Sequence, residues 1–186
     1  MPKLFAFASP SGGGKTSIIK VLLQRHPEIE FSVSATTREN RNGETDGKDY
    51  FFLPKEEFEQ LIAQGELVEH EFFFNNYYGT LKREVDRALS AGHSMIFDVD
   101  VNGALSIKKM YGDTADLIFI VPPSLEVLEQ RLRSRQTETE EKIQIRLQRA
   151  KMEMEIGEKF DHIVVNDDLQ TAITTVENII IKQLSH

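Results

Sequence analysis

The stretch Leu4 to Leu23, LFAFASPSGGGKTSIIKVLL, constrains this chain more tightly than any other. Leu4 to Ala8 is a short apolar run suited to a buried parallel strand. Ser9 to Gly14 is almost all small residues and ends in three consecutive glycines. Lys15 and Thr16 follow, and Ile18, Ile19, Leu22 and Leu23 recur at helical spacing. Strand, glycine loop, Lys-Thr and helix together are the context of a phosphate-binding loop. Several backbone N–H groups must converge on one polyphosphate, which needs residues free to take φ > 0 and no Cβ in the way. The helix adds its unpaired N–H groups and positive dipole end. In that reading Ser9, Pro10, Ser11, Gly12, Gly13, Gly14 and Ser17 wrap a nucleotide polyphosphate. Lys15 reaches the β- and γ-phosphates, and the Thr16 hydroxyl ligates Mg2+.

The motif G-x-x-x-x-G-K-[ST] puts a glycine where this chain has Ser9. Ser9 carries a steric cost if its position needs a left-handed backbone. A glycine-rich turn that merely links strand to helix is the alternative, but such a turn has no need of Lys-Thr at its end.

With 186 residues the chain is expected to form one domain, or one domain with inserted lobes. The net charge of −8 argues against a general nucleic-acid or membrane-surface binder. It also requires any nucleotide site to concentrate positive charge locally. The absence of cysteine excludes disulfides, Cys-ligated zinc and thiol catalysis. No apolar run approaches the ~18 residues of a membrane span, and the N-terminus does not read as a signal segment. A cytoplasmic protein is the expectation.

Apolar strands near 4–8, 94–97, 117–121 and 163–165 alternate with helices, which predicts an α/β parallel sheet. Residues 31–91 interrupt the pattern with shorter, more polar strands and read as an inserted mixed lobe. FSVSA (31–35) is expected to be one strand, NNYYGT (75–80) a turn, and 94–100 a strand. The helix pair around Gln136 is a candidate flap, with Thr137 and Glu140 at capping-box spacing. The expected core is 1–30, 92–124 and 150–186, with the lid at 125–149.

Asp98 and Asp100 close a parallel-type strand, where ligands gather. Residues two apart on a strand share a face, so both carboxylates can point into one site. An acidic strand end resembles the Mg2+ holder of phosphate-loop enzymes, which makes Asp98, with Thr16, the candidate metal residue, directly or through water. The competing reading is that one of the two caps the next helix. Arg38 and Arg41, three apart in an exposed loop, can clamp an anion. Taken alone, that loop, Glu69 and the run RLRSR (131–135) are each more simply solvated surface. Asn166-Asp167-Asp168 before a helix is most simply an N-cap for the aspartates.

The combination is specific. SxTTRxxRxGExxGxDYxF spans Ser34 to Phe52, NYYGT spans Asn76 to Thr80, and IFDVD spans Ile96 to Asp100. TETEEKIQIRL spans Thr137 to Leu147, and VVNDDL spans Val164 to Leu169. With the phosphate loop, and in this order along nearly the whole chain, these motifs resemble the guanylate kinase family. The resemblance implies a P-loop sheet with an acceptor-binding lobe and a helical lid. It implies Mg2+-dependent transfer of the γ-phosphoryl group of ATP to GMP. It assigns Arg38, Arg41, Tyr50 and Tyr78 to the GMP phosphate, and Ser34, Glu69, Thr80 and Asp100 to the guanine or its neighbourhood. It matches Arg131, Arg135 and Arg146 to lid arginines and Asn166 to the adenine pocket. Lys15, Arg41, Arg135 and Arg146 would act on the reacting phosphates. The departure is Ser9-Pro10-Ser11-Gly12, where the family usually has Gly-Pro-Ser-Gly.

The residue chemistry agrees with that resemblance. Guanine presents N1–H and N2–H2 side by side, and one carboxylate at Glu69 can accept from both. Adenine has no such pair on that edge, and sites built this way reject the wrong partner by ~10⁴-fold or more. Two alternatives stay open: a catalytically inactive guanylate-kinase-like interaction module, and a kinase of another small phosphate acceptor.

Overall fold

A computed structural model describes residues 1–134 and 139–185. Arg135, Gln136 and Thr137, and with them the expected flap tip and the Thr137 half of the capping box, lie outside the described residues. Glu140 is the first residue of its helix rather than the fourth residue from a cap at Thr137.

Five parallel strands form the main sheet: β1 (Leu4–Ala8), β2 (Glu30–Phe31), β7 (Met95–Asp98), β8 (Ala115–Val121) and β9 (His162–Val165). Their spatial order is β2-β7-β1-β8-β9, so the first strand of the chain is the central one. β1 is buried at every position, which explains why its sequence is apolar on both faces. On one side Phe5, Phe7, Ile96, Ile118 and Ile120 pack against Ile18 and Leu22 of α1 (Lys15–Arg25). The same cluster takes in Ala172, Val176 and Ile180 of α7 (Leu169–Leu184). On the other side Leu4, Ala6, Phe97, Leu117 and Phe119 meet Ala104 and Ile107 of α4 (Val101–Tyr111).

The second sheet is mixed, in the order β4-β3-β6-β5. It comprises β3 (Ala35–Thr36), β4 (Phe51–Phe52), β5 (Leu67–Phe73) and β6 (Asn76–Leu81). Helix α2 (Lys55–Gln64) covers it through Phe58 and stops at Gly65, which takes φ 69°. Helix α3 (Lys82–Ser90) sends Val85 and Ala88 into the main-sheet cluster.

Three expectations fail. FSVSA is not one strand: Glu30 and Phe31 pair with β7, whereas Ala35 and Thr36 pair with β4 and β6. The chain crosses between sheets at Ser32–Ser34, and local alternation carries no signal of that crossing. Of NNYYGT, residues 76–80 are strand and only Asn75 is in a turn; the turn is Phe74-Asn75, with φ of 45° and 62°, as a two-residue hairpin requires. Gly79 sits inside the strand because a Cβ there would lie 2.7 Å from the Glu69 carbonyl. Strand β7 ends at Asp98, and Asp100 is the N-cap of α4, accepting from the Gly103 N–H at 2.7 Å. Strand alternation therefore does not set the direction of Asp100. Helix α5 (Leu125–Ser134) does begin after a Ser124 cap, and α7 after Asp168, whose side chain accepts from Thr171 N–H.

Candidate active site

The phosphate loop leaves the carboxyl end of β1 at the middle of the sheet and runs straight into α1. Gly12 and Gly14 take φ of 96° and 94°. Ser9 does not: among the described residues only Phe74 and Asn75 are non-glycine residues with positive φ. The steric cost anticipated for Ser9 is therefore not incurred. The loop is tied internally by Gly13 N–H to the Pro10 carbonyl at 2.9 Å. It is tied from outside by Asn166, a buried residue at the end of β9 whose Nδ2 donates to the Gly13 carbonyl at 2.7 Å. A Cβ on Gly14 would lie 2.2 Å from that Nδ2. Gly14→Ala thus combines a left-handed residue, costing about 1–2 kcal/mol, with displacement of Asn166. The expected result is a melting temperature lower by about 2–8 °C and a raised KM for ATP. Unchanged values of both would refute the cradle described here.

Lys15 is not idle. Its Nζ lies 2.5 Å from Asp98 Oδ1 and donates to the Val99 carbonyl at 2.6 Å. The Thr16 hydroxyl donates to Asp98 Oδ2 at 3.4 Å. One hydroxyl and one carboxylate at the phosphate loop fit Mg2+, which binds through one or two protein oxygens, substrate phosphates and retained waters. Among the described residues no group of three or more His, Cys, Asp or Glu could cage a metal by itself.

Across the cleft Arg38 is gripped by both oxygens of Glu44, at 2.7 and 3.0 Å, and lies over the Tyr50 ring at 5.2 Å. Tyr50 meets Tyr78 edge-on, centroids 6.2 Å apart. Arg41 is exposed, and its backbone N–H also donates to Glu44. Glu44 therefore orders the loop that carries both arginines; it is the acidic residue of the run NGET, and no spacing rule singles it out.

A bulge between Leu67 and Glu69 sets Glu69 opposite Thr80. The Thr80 hydroxyl donates to Glu69 Oε1 at 2.7 Å. Burial raises the Glu69 pKa to about 7, against the pull of the Thr80 hydrogen bond and helped by the nearby charges of Asp100 and Glu71. A cleft of about 390 Å3 brings Ser9, Lys15, Ser34, Tyr50, Glu69, Tyr78, Asp98 and Asp100 to one surface. Residues from both sheets thus share one site.

The arginines on α5 and on α6 (Glu140–Gly157) divide. Arg131 turns inward, donating to the Asn166 carbonyl at 2.9 Å, and Arg146 donates to Ser11 Oγ at 2.6 Å. Arg133 pairs with Glu129 and Glu140 on the solvated face. Arg149, which the sequence reading passed over, faces Asp100 and Glu153.

A parallel sheet with a glycine cradle at its central strand, and a second sheet presenting an enclosed carboxylate to the same cleft, defines a P-loop phosphotransferase with a separate acceptor lobe. The guanylate kinase family model matches residues 1–183. The guanylate kinase of Chlorobaculum tepidum is 49% identical over 174 residues, 94% of this chain and 89% of that one. That of Chlorobium chlorochromatii is 50% identical over 179 residues, 96% and 94% of the two chains. The crystal structure of the guanylate kinase from Anaplasma phagocytophilum superposes with a TM-score of 0.75 at 32% identity, covering 98% of this chain and 86% of that one. The chain belongs to the guanylate kinase family.

Proposed function

We propose that the chain transfers the γ-phosphoryl group of ATP to GMP, giving GDP and ADP. The observation that carries the proposal is the single cleft lined both by Lys15 of the glycine cradle and by the enclosed Glu69. Lys15 and the loop N–H groups hold the triphosphate. Arg38, Arg41, Tyr50 and Tyr78 hold the acceptor phosphate, and Glu69, Ser34, Thr80 and Asp100 surround the base. Arg131 and Asn166 hold the ATP end, and Arg146 carries positive charge over the phosphates; the catalytic role that the family resemblance gives Arg135 falls outside the described residues. Thr16 and Asp98 would hold Mg2+, which when bound neutralises and aligns the phosphate oxygens. A cytoplasmic location is part of this proposal; separately, among the described residues no helix is long and apolar enough to cross a membrane.

The chemistry needs no general base from the protein. The nucleophile is a phosphate oxygen of GMP, whose second pKa near 6 leaves it largely ionised at neutral pH. The obstacle is the approach of two anions. The arginines and Lys15 remove it by screening charge and fixing donor against acceptor. Exclusion of water by the second sheet and the α5–α6 pair protects ATP from hydrolysis.

An assay of GMP, AMP, CMP and UMP with ATP and Mg2+ tests the proposal. GMP alone should be consumed rapidly. No GDP from GMP would mean an inactive interaction module, and preference for another monophosphate would mean a different acceptor.

Glu69 gives a second test. Its folded pKa, about 7, lies above the ordinary carboxylate value of 4.5. The stability tied to its neutral form is complete below pH 4.5 and disappears as pH rises through 7. Relative to Glu69→Gln, the unliganded wild type should lose on the order of 2–3 kcal/mol of stability between pH 4.5 and 8. Guanine donates both N1–H and N2–H2 to the ionised form, so GMP binds that form in preference. Its binding near pH 6.5 should release a proton, readable in calorimetry across buffers of different ionisation enthalpy. No buffer dependence would show that Glu69 does not meet the base.

A further inference from the structure

Helix α6 carries two arginines one turn apart that reach opposite ends of the cleft. Arg146 reaches the phosphate loop through Ser11. Arg149 points toward the base end. Its Nε donates to Glu153 Oε1 at 2.7 Å, and its Nη2 lies 3.8 Å from Asp100 Oδ2, an ion pair too long for a hydrogen bond. Glu71 on β5 lies within its field as well.

Four carboxylates stand around this end: Glu69 and Glu71 from β5, Asp100 from the cap of α4, and Glu153 from α6. Glu69 meets Thr80 from β6 and the charges of Asp100 and Glu71, and among the described residues no cation is paired with it directly. Burial raises both Glu71 and Glu153, and Arg149 acts against that rise in each case. Lys15 also bears on Glu153, but its own short contact is with Asp98. Arg149 is thus the cation placed against three of the four acids.

We propose that Arg149 is a positioning residue for the guanine end of the acceptor site: by holding Asp100 and offsetting Glu71 and Glu153, it lets Glu69 meet the base as a carboxylate. The lid helix then contributes to acceptor affinity as well as to the phosphates. This inference rests on the assignment of Glu69 to guanine. Physically, removing one positive charge from a group of four acids strengthens the negative field at Glu69. That field favours the protonated form, which cannot accept from N1–H and N2–H2 together.

The test is steady-state kinetics of Arg149→Ala and Arg149→Lys from pH 6 to 9, with melting temperatures recorded in parallel. For Arg149→Ala the KM for GMP should rise about two- to fivefold at pH 7, and the pH at which that KM changes should move up by roughly half to one unit. The deficit should shrink at pH 9, where Glu69 is ionised in either protein. The KM for ATP and kcat at saturating substrates should stay within about threefold. Arg149→Lys, which keeps the charge, should restore most of the GMP affinity. An unchanged KM for GMP overturns the inference. So does a loss that is equal at every pH and not rescued by lysine, which would mark Arg149 as a packing residue. A fall in kcat alone would also overturn it, by placing Arg149 on the reacting phosphates. If the wild type itself ignores GMP, the proposed function has failed rather than the role of Arg149.

Discussion

Replacing Lys15 by alanine is expected to lower turnover by about 10²–10³-fold, the range seen when one preorganised charge-stabilising donor is removed from an active site. Lys15 is the cation at the glycine cradle, and its Nζ is already aimed by the Asp98 carboxylate and the Val99 carbonyl. Nothing else on α1 can substitute for it, because the first turn beyond Lys15 offers only the hydroxyls of Thr16 and Ser17. The lost contacts are polar and lie at the edge of the site, so the fold should survive, with a modest fall in melting temperature. The loss should appear mainly in kcat, because the charge on the transferring group is greatest in the transition state. Activity within tenfold of wild type would show that the triphosphate does not lie on this loop.

Glu69→Gln carries the second large effect. A carboxylate accepts from both guanine donors, whereas an amide accepts with its oxygen and confronts the second donor with its own N–H2. Thr80 already donates to Oε1, so the amide cannot satisfy both neighbours by turning over. We expect kcat/KM for GMP to fall by about 10³-fold or more, with ATP binding nearly intact. AMP should not become a good substrate, since no group in the pocket is gained that its N6–H2 would prefer. Unchanged GMP turnover would refute base recognition by Glu69. Together the two variants separate the halves of the cleft: one loses the reaction with both substrates bound, the other loses the acceptor.

The main sheet, the cradle and helices α2 and α7 were legible because each is written in contiguous residues: apolar runs, a glycine cluster, a Gly65 stop, an Asp168 cap. What escaped depends on distant chain. Phe31 and Ala35 belong to different sheets because their partners are Ile96 and Gly79, which no local pattern reveals. Asp100 was read by strand alternation, yet α4 begins at Val101 and takes its carboxylate as a cap. Glu44 could not be paired with Arg38 from spacing alone, although the same short loop carries both. Arg149 was hidden within a helical run whose periodicity describes packing and says nothing about what a long side chain can reach. The arginines of RLRSR show the same limit in reverse: Arg131 turns toward Asn166, while Arg133, two residues on, remains among surface acids.

The placement of the amino-terminal strand at the sheet's centre has a temporal consequence. Its two neighbours are supplied by residues 95–98 and 115–121, and the amide that steadies the glycines comes from Asn166. During synthesis the nucleotide cradle is among the first parts to emerge and among the last to be locked. A nascent chain halted before residue 162 would own every glycine of the motif and still lack the strut that shapes it. Competence to grip ATP should therefore arrive abruptly, late in translation, and ribosome-bound chains of increasing length would date that moment to the emergence of β9.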